Sequence, residues 1–187
     1  SAALTMHQGT LDGILINFEI PEAAVAAGVR WGKDQGMPVI VDAGPPRPYT
    51  AATWGSCTIL TPNALETSTL VGYPIHDDAT AEQAARQLLA AGPKAVVLKR
   101  GKRGALLLTA DGERHIPAFP VTVVDTTGAG DAFSGTLAVA VAEGLPLEQA
   151  VRRANAAGAL AVTRFGSMPA MPTRQEVDVF LAQLGEQ

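Results

Sequence analysis

The residues best suited to chemistry lie between Val124 and Gly135, where the chain reads VDTTGAGDAFSG. A β-branched run ends, glycines frame a turn, and a helical pattern starts with a carboxylate, Asp131, in its first turn. First-turn amides have no acceptor within their own helix and sit at the positive end of its dipole, so such a start can hold an anion. Gly128 and Gly130 let the main chain, with Ala129 between them, approach an oxyanion without a Cβ in the way. An acid aimed at a phosphate would repel it. Asp131 therefore suits the attacking hydroxyl instead, as the general base that takes its proton during phosphoryl transfer. A plainer account also fits: Asp131 complements the helix dipole and the glycines shape a tight turn.

Two familiar nucleotide motifs are excluded. The chain has no G-x-x-x-x-G-K-[ST], and a dinucleotide fingerprint would want glycine or alanine where Phe133 stands. Other polar residues each carry two readings. Asn63 and Glu66 suit a nucleotide site or a helix cap and capping box. Gly101 and Gly104 suit a nucleotide loop or a hairpin turn, and Lys99 a phosphate contact or a solvated strand end. Asn155 is either a pocket residue or an ordinary helix-surface amide. Asp125 can serve a site or cap its own turn. Glu19 is a substrate ligand or a strand-end charge.

DTTGAGDAFSG resembles the signature of the ribokinase-like (phosphofructokinase-B) carbohydrate kinases. Thr61–Glu66 (TPNALE) resembles that family's T-P-N-x-x-E segment, and Lys99–Gly104 (KRGKRG) its nucleotide loop between two strands. Arg152–Ala157 is similar to the helix lining the adenine pocket, and Ala161–Gly166 (AVTRFG) to a V-T-R-x-G-A stretch. The matches run in family order from about Gly13 to the C-terminus.

The resemblance implies an α/β layered sheet with helices on both faces, truncated at the N-terminus, with residues 1–187 as its C-terminal nucleotide-binding and catalytic part. It implies ATP-dependent phosphorylation of a sugar hydroxyl, D-ribose to ribose 5-phosphate first, with fructose, a keto-deoxy sugar or a nucleoside as alternatives. A non-catalytic nucleotide-binding module is the rival of another class. Asp131 would be the base and Gly128, Ala129 and Gly130 the anion hole, while Glu19 and Asp131 would face the sugar. Asn63, Glu66, Lys99, Gly101, Gly104 and Asn155 would serve ATP and Mg²⁺. A K⁺ activator would lie among the Asp125 side chain and the carbonyls of Thr127, Ala161, Arg164 and Gly166. Ala64 replaces a family Glu, and Ala170 a serine of the cation loop. The family's sugar-binding segment and small β-sheet lid, which precede Gly13 there, are not matched. The 187-residue chain by itself is thus expected to bind nucleotide weakly without saturable sugar phosphorylation, and the full-length protein to be a homodimer.

These residues need elements to hold them. Apolar runs predict strands at Gly13–Phe18, Met37–Val41, Cys57–Leu60, Ala95–Lys99, Ala105–Thr109, Arg114–Ile116 and Val121–Val124. Helical patterns with start and stop residues predict helices over Pro21–Gln35, Pro62–Val71, Thr80–Ala91, Gly130–Glu143, Pro146–Thr163 and Thr173–Leu184. Strand–helix alternation followed by a hairpin and then helices is the pattern of an α/β fold.

Composition narrows the class. Hydrophobic residues make up 47%, aromatics 5% and charged residues 17% of one domain-sized chain. A net charge of −4 leaves no basic stripe for nucleic acid. The short cluster Lys99, Arg100, Lys102 and Arg103 suits one phosphorylated small molecule. Cys57 is the only cysteine, so no internal disulfide can form and a reducing cytoplasm is the natural setting. His7, His76 and His115 lack ligand spacing, and Trp31 and Trp54 form no stacking platform. No apolar run approaches the ~18 residues of a membrane span. The absent initiator Met and the early buried strand lead to the expectation that an earlier part is missing.

Overall fold

The computed structural model describes residues 11–185. They divide into two compact units: residues up to Arg100 together with Leu106–Arg114, and Gly101–Ala105 together with residues from His115 onward.

In the first unit, strands and helices alternate: β1 (Ile14–Asn17), α1 (Glu22–Asp34), β2 (Val39–Asp42), α2 (Ala51–Trp54), β3 (Ile59–Thr61), α3 (Ala64–Val71), α4 (Asp78–Ala90) and β4 (Ala95–Lys99). β5 (Ala105–Thr109) and β6 (Gly112–Ile116) complete a six-stranded sheet whose spatial order equals its sequence order. β1 to β4 pair in parallel, Ile14 opposite Val39, Ile40 opposite Ile59, and Ile59 opposite Ala95. The links from β4 to β5 and from β5 to β6 are too short for a crossover, so these strands turn back antiparallel.

Every residue of β2 and β3, and Ala95–Leu98 of β4, is buried, which is why these runs are apolar without alternation. One face carries Ile16, Val39, Val41, Leu60, Val96, Leu98 and Leu106 against Val25 and Val29 of α1, Trp54 of α2, and Ala81, Ala85 and Leu88 of α4. Full burial of one such Val or Leu contributes roughly 1.5–3 kcal/mol. α1 comes very close to the sheet because it presents Gly28 and Gly32. A Cβ there would lie 2.7 Å from Ile16 Cδ1 and 2.5 Å from Val39 Cγ2.

The second unit is helical: α5 (Ala129–Ala142), α6 (Leu147–Ala161) and α7 (Arg174–Gly185). Ala132, Ala156, Ala157, Ala161 and Val177 form a core flanked by Phe119, Leu160, Met171 and Phe180. Small residues on α5 and α6 let these neighbouring helices pack closely.

Most predicted elements are present within a few residues, and the α/β class is as expected. Val121–Val124 is the exception, since it lies outside the sheet. Val123 and Val124 are exposed, and the amides of Val124 and Asp125 donate to the Val162 carbonyl at the end of α6 rather than to a strand. β-branched residues favour strands only where a pleated surface receives them. His76 and His115 are exposed and Trp54 is buried; His7 lies outside the described residues.

Candidate active site

The first unit gathers polar groups at the carboxyl ends of its parallel strands, where ligands bind in open α/β sheets. Asn63 caps α3. Its side-chain oxygen accepts from the amides of Leu65 and Glu66, at 2.9 and 3.0 Å. Glu66 answers by accepting from Asn63 N at 2.7 Å and from Asn63 Nδ2 at 2.6 Å. The capping-box reading of this pair is met in full, and the box also holds the carboxylate in place. Glu66 is 6% exposed. Burial raises its carboxyl above the ordinary range, Lys99 and the Asn63 amide oppose this, and Asp42 adds to the rise.

Lys99, at the end of β4, is not a solvated strand end. Its ammonium donates to both carboxylate oxygens of Asp42, at 2.9 and 2.8 Å, and stands 4.0 Å from Glu66 Oε2. Asp42 was not legible as a site residue. Its signal was an acid closing a buried apolar strand just before the Gly44–Pro48 loop. Arg100 is not free for an anion either, because it pairs with Asp78 with its side chain 4% exposed. Glu19, exposed after β1, has its amide bonded to Asn17 Oδ1.

In the second unit, Gly128 is the N-cap of α5, with φ +78°. The left-handed conformation is what demands glycine, since the nearest atoms a Cβ would meet, Met171 Cε at 2.7 Å and Ser167 Oγ at 2.9 Å, are side-chain ends that can move. Ala129 and Gly130 open the helix. Asp131 follows in the first turn and is exposed. The first-turn amides have no acceptor within their own helix, and that of Ala129 donates to the Thr126 carbonyl at 3.3 Å.

Asp125 ties the preceding loop to the one after α6. Its Oδ1 accepts from Thr127 N and Oγ1, at 3.0 and 2.8 Å, and its Oδ2 from Gly166 N at 2.9 Å. These bonds, led by the Thr127 amide, lower its carboxyl below the ordinary range. The structure thus brings Asp125, Thr127 and Gly166 into direct contact. Ala161 accepts the Arg164 amide through its carbonyl, and the Arg164 side chain pairs with Glu176. Arg164, with the Thr173 amide and hydroxyl, pushes Glu176 down to about 2. Ala170 is fully buried.

Gly101 and Gly104 bound the 3-10 turn Gly101–Arg103, with φ +56° and +80°. Asn155 is 9% exposed, and its Nδ2 donates to the carbonyls of Ile116 and Pro117 at 3.2 and 3.1 Å. It is no surface amide; both its donors hold the chain beyond β6.

Residues 7–174 match the model of the pfkB family carbohydrate kinases. The chain is 40% identical over 172 residues to a ribokinase of Bacillus subtilis, spanning 92% of this chain and 56% of that protein. It is 31% identical to a deoxyribokinase of Salmonella typhi, spanning 90% and 56%. Its fold superposes on an Arabidopsis thaliana ribokinase complexed with ribose and ATP, with a TM-score of 0.85 and 36% identity, over 90% of this chain and 55% of the other. The chain spans just over half the length of each.

Proposed function

Because this chain belongs to the pfkB family of carbohydrate kinases, we propose that residues 1–187 are the C-terminal nucleotide-binding and catalytic part of an ATP-dependent sugar kinase that converts D-ribose to ribose 5-phosphate. The observation that carries this reading is the start of α5: left-handed Gly128, two small residues, then an exposed carboxylate in the first turn. The amides of Gly128, Ala129 and Gly130 would stabilise charge on the transferring phosphoryl group. Asp131 would accept the proton of the sugar hydroxyl as its oxygen attacks the γ-phosphorus. Gly101 and Gly104 would let the loop approach the nucleotide, Asn63 and Lys99 would meet phosphate oxygens, and Asn155 keeps its side-chain oxygen for the adenine region. Glu19 would hold a sugar hydroxyl.

Glu66 fits Mg²⁺ as a hard oxygen donor of low exposure, and the Thr61 hydroxyl, buried at the end of β3, has no hydrogen-bond partner among the described residues. When bound, the ion would neutralise β- and γ-phosphate charge. K⁺ would be held by the Asp125 side chain and the carbonyls of Thr127, Ala161, Arg164 and Gly166. The bonded junction of the two loops that carry them supports this reading. Among the described residues no helix is long and apolar enough to cross a membrane. A cytoplasmic homodimer of the complete protein belongs to the same proposal.

The test is a coupled ADP assay of the complete protein with ATP and ribose, deoxyribose, fructose or a nucleoside. Ribose is expected to turn over best, and Asp131→Asn to lower kcat by about 10²–10⁴ with ATP affinity nearly unchanged. Nucleotide binding without turnover of any sugar would favour the non-catalytic module.

A further inference from the structure

Three strand ends of the first unit place side chains on one face. Asp42 and Thr61 are register partners on β2 and β3, so they project to the same side. Lys99 crosses over β3 to reach Asp42. Asp42 and Glu66 are 8% and 6% exposed, and of the two Lys99 lies 2.8 Å from the first and 4.0 Å from the second. Two carboxyl groups thus face one ammonium in a place poorly reached by water.

Thr61 Oγ1 is fully buried on this face and has no hydrogen-bond partner among the described residues. A buried hydroxyl ordinarily finds a partner. Gly44 keeps the approach open, because a Cβ there would lie 2.9 Å from Glu66 Oε1 and 3.4 Å from Asp42 Oδ1. Carboxylate and hydroxyl oxygens are the donors that hard divalent cations select.

We propose that Lys99 is the built-in occupant of a divalent-cation site, its ammonium and the ion competing for the carboxylates of Asp42 and Glu66. The ion's arrival frees the ammonium, on its flexible stem, to meet an anionic group such as a phosphate. In the ion's absence Lys99 supplies the positive charge that faces both carboxylates. The inference deepens the kinase reading and rests on it only for the ion's purpose; ion binding is therefore measured without nucleotide. Failure of the kinase reading would appear instead as absent sugar turnover.

The probe is Mn²⁺, followed by electron paramagnetic resonance. Lys99→Met is expected to tighten Mn²⁺ binding on the order of tenfold, since a competing positive charge is gone. Asp42→Asn is expected to weaken it by about tenfold, through loss of a charged ligand. Lys99→Met also takes the ammonium away from Asp42, so a second measurement uses the unaltered chain. With ¹⁵N-lysine labelling, the Lys99 ammonium signal, assigned from its absence in Lys99→Arg, should shift as Mg²⁺ is added. The signals of exposed Lys94 and Lys102 should not. Unchanged Mn²⁺ affinity in a folded Lys99→Met chain, or a Lys99 signal unmoved throughout the Mg²⁺ titration, would make Lys99 a permanent structural tie and overturn the proposal.

Discussion

Replacing Gly101 and Gly104 by alanine, one at a time, should separate two glycines that look alike in the motif. Both have positive φ, +56° and +80°, and an alanine in the left-handed region costs about 1–2 kcal/mol. At Gly101 nothing lies within 4 Å of the new Cβ, so that strain is the whole expected loss. At Gly104 the Cβ would stand 2.1 Å from Ile116 O and 2.6 Å from Ala118 N. These are backbone atoms that cannot rotate away, and the Ile116–Ala118 segment must move by about 1 Å to restore ordinary contact. The carbonyls of Ile116 and Pro117 that would be displaced are the two acceptors of Asn155 Nδ2. Weakening both bonds adds roughly 1 kcal/mol each. Gly104→Ala should therefore cost about 3–4 kcal/mol against about 1–2 kcal/mol for Gly101→Ala. In urea unfolding followed by far-ultraviolet circular dichroism, this corresponds to midpoint shifts of about 1.5–2 M and 0.5–1 M. Equal shifts would show that the segment yields freely and that Gly104 is needed for its dihedral alone. Under the kinase reading, Gly101→Ala should also lose ATP affinity while remaining folded.

Asn63→Ala should cost about 1–2 kcal/mol by destroying the cap. Asn63→Ser should recover part of that stability without recovering ATP affinity, and parallel recovery of both would leave Asn63 as a cap only. Glu176 is held down to about 2, chiefly by Arg164, so its share of stability is complete above the ordinary carboxylate range. That share is lost as pH falls towards 2. The stability gap between wild type and Glu176→Gln should accordingly shrink on acidification, and a gap independent of pH would refute the link. K⁺ should raise kcat of the complete protein over choline at matched ionic strength, though less than in relatives with a serine at Ala170; equal rates would exclude a functional cation site.

Elements stamped by hydrophobic runs were legible: β4 and β5 coincide with their predicted bounds, and α1, α3 and α6 lie within two residues. The start of α5 was legible as a helix start because a glycine turn followed by a first-turn acid marks a helix N-terminus. Val121–Val124 misled, since burial is decided by what faces a run and not by the run itself. The role of Lys99 was hidden because its partner Asp42 lies 57 positions away in sequence. Only the parallel register of β2, β3 and β4 brings them near. Asn155 was equally opaque: one helical amide cannot announce that it will bind two carbonyls of a distant loop.

The plain succession of strands, each beside the one before it in sequence, bears on how the sheet can assemble. No strand of the parallel set must wait for a later one to be inserted between it and its neighbour. Each helical crossover closes a loop of moderate length, and the entropy of closure is repaid at once by the newly paired strand. Such a sheet can extend one edge at a time during synthesis, leaving only its latest strand unpaired on the growing side. An edge exposed briefly, and always the same edge in turn, is a small target for aggregation. The ordering that puts Asp42, Thr61 and Lys99 on adjacent strands is thus also one that a ribosome can lay down without backtracking.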